Sequence, residues 1–232
     1  MIFCFIALFS KHIKETEKHI EEIEKNNLEN KNQIYKNLDK IEIELYKIRE
    51  SISIIDVSIH SDNKKWAKVK QIRKIIVETL KIQENNNLTI KDITDIATSV
   101  IESSEENGIS ISLILSIITV ESAFSIKSIS KAGARGLMQI MPETAVEIST
   151  DLGKRNFNLF RIRDNIQFGS FYLWKMINLL GDVDLGIRAY NCGSVCVERV
   201  RSGEYKNYPI ETINYLEKVN IWKKKYSDLG VD

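Results

Sequence analysis

The sequence predicts an all-α protein, and three observations support this class. The 232 residues include only two prolines and ten glycines and are rich in Lys, Glu, Ile and Leu, a composition that favours helices. Apolar residues recur at helical spacing along much of the chain. Helix signals mark the boundaries: Pro142 and Pro209 suit first turns, and Gly108 and Gly181 follow last turns. The high isoleucine content is the one feature of the composition that favours strands.

Residues 1–10 form an apolar N-terminal segment. Its apolar run, Met1 to Phe9, is too short to span a bilayer, which takes about 20 residues. The run has the length of a signal-peptide core, but no basic residues precede it and no small-residue cleavage site follows it. Three interpretations stay open: a degenerate export signal, a short membrane anchor, or an apolar tail that packs on the protein.

Residues 11–60 are highly charged, lack Gly and Pro, and predict a long helix. Apolar residues alternate spacings of four and three in its second half: Ile34, Leu38, Ile41, Leu45, Ile48, Ile52, Ile55 and Ile59. This seam indicates either an amphipathic helix packed on its own domain or a coiled coil that joins copies of the chain or a partner protein. Leucine at a positions and isoleucine at d positions favour trimers or tetramers.

Residues 61–106 predict a helical lead-in. Ser61–Asn63 is interpreted as a break, followed by a helix over Lys64–Gln83. Asn85–Asn87 predicts a polar loop and Thr89–Glu106 a further helix, which Asn107-Gly108 closes.

Residues 107–232 predict short helices joined by glycine-containing loops. The run Ile109–Val120 suits either a strand or a buried helix, and periodicity cannot decide between them. Asp164-Asn165 begins a long amphipathic helix, Asp182–Tyr190 a short one, and the last helix runs from Pro209 through Trp222.

Charge, histidines and cysteines exclude several classes of function. A net charge of +1 gives no field that would attract nucleic acid. No metal site is predicted, because no histidine lies near a Cys or acidic cluster with ligand spacing: His12, His19 and His60. Three cysteines are an odd number and predict no disulfide framework. Cys192 and Cys196 are expected to be two buried thiols, with a C-x-x-x-C redox site as the alternative.

Glu121 is the first candidate for chemistry. It ends the apolar run Ile109–Val120, where a charged carboxylate is unfavourable unless it is neutral or paired. Desolvation raises a carboxyl pKa and keeps a glutamic acid protonated, ready to donate a proton. Considered alone, a helix-end glutamate that reaches solvent is the more common situation.

Two loops after Glu121 have the composition of a binding site. Residues 130–142 combine small residues with Gln139 and two methionines, so that backbone can approach a ligand closely. Residues 189–193 place an aromatic ring and an amide just before a turn. The alternatives are a tight turn with core methionines and a helix end capped by Asn191.

Five ordered blocks carry a resemblance over about residues 107–222. They are E-S-A-F from Glu121, S-K-A-G-A-R-G-L-M-Q-I-M-P-E-T-A from Ser130, D-N-I-Q-F-G from Asp164, A-Y-N-C-G from Ala189 and E-T-I-N-Y-L from Glu211. In this order they resemble the soluble lytic transglycosylase family, which shares the goose-type lysozyme fold. The resemblance implies a lysozyme-like helical catalytic domain over residues 107–232. Cys192 and Cys196 depart from the family, whose members commonly have small residues or proline there.

The resemblance also implies roles for individual residues. Glu121 would protonate the glycosidic oxygen and then act as the base, and Tyr215 would orient it. The other implied residues line the muramoyl subsite, shape its loop or contact substrate beside the glutamate: Ser130, Gly136, Leu137, Gln139, Met141, Tyr190 and Asn191. No cofactor and no metal are implied.

The implied activity is that of a murein lytic transglycosylase. It would cleave the β-1,4 bond between MurNAc and GlcNAc in peptidoglycan glycan strands and leave a 1,6-anhydromuramoyl end. The expected location is the cell envelope or periplasm, or outside the cell. Hydrolytic glycosidases usually use two carboxylates, whereas the motif blocks contain one. A goose-type lysozyme that hydrolyses the same bond and a non-catalytic glycan-binding assembly component remain the alternatives.

Overall fold

A computed structural model describes residues 37, 38, 40–42, 59–82 and 88–232. The chain divides into two compact units, Met1–Ser61 and Asp62–Asp232. In the first unit, the few described residues are helical. The apolar segment of residues 1–10 and nearly all of the predicted coiled-coil seam lie outside the described residues, so both stay predictions.

Eight helices account for most of the described chain from residue 59 onward. They are α1 (Ile59–Ile82), α2 (Ile90–Asn107), α3 (Ile111–Ser122), α4 (Pro142–Asp151), α5 (Ile162–Leu180), α6 (Val183–Cys192), α7 (Ser194–Arg201) and α8 (Ile210–Asp228). Between them, the described residues contain only isolated β-bridges, which join Arg135 to Ile129 and to Ile140. The all-α class predicted from the sequence is confirmed.

Several helix ends form through the local signals seen in the sequence. Thr89 caps α2 with a capping box, in which its side chain accepts from the Asp92 amide and Asp92 bonds back to the Thr89 amide. Gly108 ends the same helix in the left-handed conformation, with φ of 65°. The Asp182 side chain accepts from the Leu185 amide at the start of α6.

The ambiguous apolar run forms helix α3 at the centre of the second unit. Every residue from Ile111 to Thr119 is buried, so the helix is surrounded on all sides, as an apolar helix in water must be. Helices α2 and α8 pack against it, and α5 packs against α2 and α6. No helix among the described residues is both long enough and apolar enough to cross a membrane.

Two expectations about the helices were wrong or incomplete. Ser61–Asn63 is not a break, because α1 runs from Ile59 through these residues. Ser, Asp and Asn weaken a helix only modestly, and no Gly or Pro interrupts the backbone hydrogen bonds there. Helix α7 was not predicted, since its eight residues bury only Val197 and show no long apolar pattern.

Tyr226 joins three helices of the second unit. Its side chain is fully buried, and its hydroxyl lies 2.7 Å from Thr119 Oγ1 of α3 and 3.3 Å from Thr79 Oγ1 of α1. Both threonines also donate to their own helix, Thr119 to the Leu115 carbonyl and Thr79 to the Ile75 carbonyl. The hydroxyl therefore connects α8 to both α3 and α1.

Tyr226→Phe should reduce the free energy of unfolding by about 1–2 kcal/mol, because buried hydrogen bonds are lost while the ring still fills its space. Urea unfolding followed by circular dichroism measures the change. Tyr205→Phe is the matched control, since Tyr205 is exposed and its hydroxyl accepts from Arg199 at the surface. Equal destabilisation by the two variants would contradict this account of Tyr226.

Candidate active site

Glu121 lies in the last turn of α3, at the edge of the core. The two residues that follow the end of the helix at Ser122 adopt left-handed conformations, Ala123 with φ of 49° and Phe124 with φ of 64°. The Phe124 ring is fully buried, so the chain turns sharply after the helix and returns a side chain to the core. Packing of this ring offsets the strain of the two left-handed residues. The carboxyl group of Glu121 is consequently held half-buried.

The surroundings of Glu121 favour its neutral form. Burial raises the pKa of the carboxyl group to about 7, with a smaller contribution in the same direction from the charge of Glu211. The Tyr215 hydroxyl donates a 2.6 Å hydrogen bond to Glu121 Oε1 and lowers the pKa, but by less than burial raises it. The negative end of the α3 dipole adds to the penalty on a charged carboxylate. The group can therefore hold a proton near neutral pH and release it.

Glu211 is a neighbour of Glu121 that the sequence analysis did not identify as a site residue. It lies exposed in the first turn of α8, four residues before Tyr215 and therefore on the same side of the helix. The spacing of glutamate and tyrosine in E-T-I-N-Y-L was the available signal. Its significance depended on knowing which side of α8 faces α3.

Tyr190 and Tyr215 form an aromatic wall beside Glu121. The charge of Glu121 raises the pKa of both tyrosines, after burial, which is the largest cause for each. The Tyr190 hydroxyl donates to the Met138 carbonyl at 2.7 Å, and its ring lies 5.4 Å from the Tyr172 ring. Both phenols remain protonated at neutral pH and serve as hydrogen-bond donors.

Asn191 is held at the end of α6 by a residue of α8. Thr212 is buried, and its hydroxyl donates to Asn191 Oδ1 at 2.7 Å. The amide nitrogen of Asn191 makes no hydrogen bond to another described residue and is free to donate to a ligand. Helices α6 and α8 therefore place Tyr190 and Tyr215 near the Glu121 carboxyl group, and Asn191 follows Tyr190 at the end of α6.

The loop between α3 and α4 is fixed by Asn165 of α5. Asn165 Oδ1 accepts from the Met138 amide at 2.7 Å, and its Nδ2 donates to the Arg135 and Leu159 carbonyls, both at 2.8 Å. A Cβ on Gly136 would lie 2.3 Å from Asn165 Nδ2 and from the Leu159 oxygen, so only glycine fits there. Ser122 Oγ joins the loop to α3 by donating to the Leu137 carbonyl at 2.7 Å.

The remaining predicted loop residues differ in what they can offer a ligand. The Leu137 side chain is fully buried, so it can shape the loop but not contact a substrate. Gln139 has φ of 49°, and its Nε2 donates to the Gly136 and Ser128 carbonyls, which leaves its carbonyl oxygen for a ligand. Ser130 is exposed, and its hydroxyl accepts from the Ala134 amide. Met141 is half-buried at the start of α4. No contact joins Ser130 or Met141 to Glu121 in the described residues.

Three other acidic side chains are engaged elsewhere, whereas Glu211 is the acidic side chain whose charge acts on Glu121. Asp164 is buried and accepts from Lys154 Nζ at 2.7 Å and from Arg161 at 3.2 Å. Asp151 pairs with Lys175 at 2.8 Å, and Asp182 caps α6. In the described part of the chain, no group of three His, Cys, Asp or Glu side chains could hold a metal ion.

Cys192 and Cys196 are joined by a disulfide, contrary to the expectation of two buried thiols. Gly193, between α6 and α7, has φ of 83° and ψ of 154°, and this sharp turn brings the two Cα atoms to 5.8 Å. That separation lies within the usual range for a disulfide. Both cysteines are half-buried.

Comparison with known proteins gives one family. The Transglycosylase SLT domain matches residues 98–213. The chain is 35% identical over 135 residues to membrane-bound lytic murein transglycosylase C of Mannheimia succiniciproducens and covers 53% of itself and 38% of that protein. The corresponding Haemophilus influenzae protein is 33% identical over 135 residues, which cover 53% of this chain and 38% of that protein. The chain thus spans well under half the length of these curated relatives.

Solved structures with the same fold include two lytic transglycosylases. An inactive glutamate-to-glutamine mutant of Slt from Pseudomonas aeruginosa has a TM-score of 0.50 at 26% identity, covering 56% of this chain and 23% of the other. The 70 kDa soluble lytic transglycosylase of Escherichia coli has a TM-score of 0.50 at 23% identity, covering 57% and 27%. The lysozyme-like fold expected from the sequence is confirmed. With half of its residues matched, the chain belongs to the Transglycosylase SLT domain family.

Proposed function

We propose that this chain is a murein lytic transglycosylase, and the observation that carries the proposal is the Glu121–Tyr215 pair. A carboxyl group with a pKa of about 7 and an orienting phenol 2.6 Å away suits a residue that first gives and later takes a proton. The relatives are named as lytic murein transglycosylases, and one solved neighbour is inactivated by a single glutamate-to-glutamine change.

In the proposed reaction, neutral Glu121 protonates the glycosidic oxygen between MurNAc and GlcNAc. The substrate's own N-acetyl oxygen stabilises C1 as the bond breaks, so no second carboxylate is needed there. The Glu121 carboxylate then removes the proton of the muramoyl 6-hydroxyl, which attacks C1 and closes the 1,6-anhydro ring. Glu121 ends protonated, as it began, and no water is consumed.

The cleft residues are assigned by what their free atoms can do. Tyr190 lies near the glutamate, and Tyr190 and its neighbour Asn191 are proposed to contact the sugar beside the cleaved bond. Ser130, Gln139 and Met141 are proposed to line the muramoyl subsite, with Gly136 and Leu137 shaping the loop. The partner is the glycan strand of peptidoglycan, and no nucleic acid or cofactor is proposed.

Peptidoglycan as substrate puts the proposed site of action in the cell envelope. The Cys192–Cys196 disulfide supports that location, because disulfides persist in oxidising compartments and are rare in the cytosol. The membrane association of residues 1–10 and self-association through residues 11–60 remain proposals. Light scattering on the full chain and on a chain without residues 1–60 tests the second. Equal monomeric masses would reject it.

Glu121→Gln should lower the release of anhydromuropeptides from purified murein by roughly 10²–10⁴-fold, because the amide keeps the shape but cannot transfer the proton. Chromatography and mass spectrometry of the products measure the effect. Glu217→Gln, an exposed change on α8, is the matched control and should retain full activity. Free reducing ends in the wild-type digest would indicate a lysozyme instead, and near-normal turnover by Glu121→Gln would move the catalytic role elsewhere.

Turnover of the wild-type chain should fall as pH rises above about 7, since the acid must be protonated and its pKa lies near that value. Glu211→Gln removes a negative charge that raises this pKa, so the alkaline limb should move to lower pH. A pH–rate profile at saturating murein measures the shift, and Glu217→Gln should not move the limb. A shift to higher pH in Glu211→Gln would reverse the assigned electrostatics.

Tyr215→Phe should lower turnover by about 5- to 150-fold, corresponding to a lost hydrogen bond of about 1–3 kcal/mol, while murein binding stays nearly normal. The Tyr215 bond lowers the pKa of Glu121, so this variant should also move the alkaline limb to higher pH, opposite to Glu211→Gln. Steady-state rates and a pelleting assay with murein separate turnover from binding. Lost binding with intact turnover would refute the orienting role.

A further inference from the structure

The turn between α6 and α7 is held by one covalent bond. Cys192 is the last residue of α6, Gly193 forms the turn, and Cys196 lies in the first part of α7. Helix α7 has eight residues, buries only Val197 and packs mainly on α6. With so little apolar burial, α7 is held to α6 in part by the disulfide.

The disulfide lies next to two residues that are proposed to contact substrate. These two residues, Tyr190 and Asn191, are called the Tyr190–Asn191 wall below. Asn191 immediately precedes Cys192, and Tyr190 precedes Asn191 on the last turn of α6. Their hydrogen bonds to Thr212 and to the Met138 carbonyl, each 2.7 Å long, require that this turn of α6 stay wound. Cys192 itself packs against a small apolar cluster that includes Ala189 and Val197. Strain or fraying at the α6–α7 turn would therefore reach both wall residues directly.

We infer that the Cys192–Cys196 disulfide is a redox-cleavable staple that holds the Tyr190–Asn191 wall of the cleft, so that the oxidised chain is the active form. This inference rests on the proposed function for its activity readout. Both cysteines are half-buried, so neither residue is enclosed in the core.

The chemistry of the staple is thiol–disulfide exchange. Formation joins the two sulfurs and removes two electrons and two protons from the two thiols, which pass to the disulfide of an oxidoreductase of the thiol–disulfide exchange class. A dithiol reverses the step through a mixed disulfide: it is oxidised while Cys192 and Cys196 are reduced. The active form would thus depend on export to a compartment that contains such an oxidant.

The test uses the full chain with Cys4→Ser, which removes the third thiol. Alkylation followed by mass spectrometry should find no free thiol at Cys192 or Cys196 before reduction and two after it. Reduction should lower turnover of purified murein by about 3- to 100-fold, because a displacement of about 1 Å in a catalytic site costs up to about 10²-fold. Reoxidation should restore it. The double variant Cys192→Ser, Cys196→Ser should show the reduced level and no response to reductant.

A second measurement separates a wall-holding staple from a merely stabilising one. Thr212→Val removes the hydrogen bond to Asn191, so its effect on turnover should be smaller in the reduced chain than in the oxidised chain if both act through Asn191. Additive effects, free thiols in the oxidised protein, or a lower melting temperature with unchanged turnover would each overturn the inference.

Failure of the proposed function is distinguishable from failure of the staple. If the oxidised chain releases no muropeptides, the proposed function is wrong, and binding of the same chain to murein sacculi in a pelleting assay then decides the staple. Weaker binding after reduction, restored by oxidation, supports it. Binding that does not change with reduction overturns it.

Discussion

A carboxyl group at the end of an apolar helix is the constraint around which the second unit is built. Helix α3 is buried on every side up to Thr119, and Glu121 follows it before the chain turns back into the core. In that position the carboxylate form of Glu121 loses solvation, so the pKa of the carboxyl group rises to about 7. A hydrogen-bond donor can orient this group, but the donor must not stabilise the carboxylate so much that the pKa returns to its ordinary value. Tyr215 meets this need with one hydrogen bond from a phenol that stays protonated.

The packing of α8 follows from that requirement. Tyr226 at one end of the helix bonds to Thr119, and Tyr215 three turns earlier bonds to Glu121, so two hydroxyls connect α8 to α3. Thr212, one turn earlier again, reaches Asn191 on α6. Helix α8 therefore contacts both Glu121 and Asn191, through Tyr215 and Thr212, and a tilt of α8 would disturb both contacts.

The loop between α3 and α4 is ordered by different means. It has no regular secondary structure, yet its backbone groups are bonded to Asn165, Gln139 and Ser122. Asn165 accepts from the Met138 amide and Ser122 donates to the Leu137 carbonyl, so these side chains satisfy backbone groups of the loop. Gly136 allows the close approach to Asn165. The polar residues of the motif blocks thus divide into those that build the loop and those with atoms left for a substrate.

Much of the fold could be predicted from local signals. The helix starts at Thr89 and Asp182 and the glycine ends at Gly108 and Gly181 lie where the sequence indicated, because helix ends depend on only a few neighbouring residues. The all-α class and the family blocks could likewise be recognised from the sequence. Helix α7 and the uninterrupted start of α1 were not, because short or polar segments carry weak periodic signals that tertiary contacts override.

The sequence by itself determined the helix-forming composition, the order of the motif blocks and Glu121 as the candidate acid. Only the tertiary structure decided that α3 is a helix rather than a strand, since burial on all sides removes the periodicity that separates the two. It likewise revealed the raised pKa, the proximity of Glu211, the internal use of the Gln139 amide and the Cys192–Cys196 bond. Each of these depends on the distance between groups brought together by folding. Burial, charge and covalent geometry act through space, and their energies have no counterpart in residue order alone.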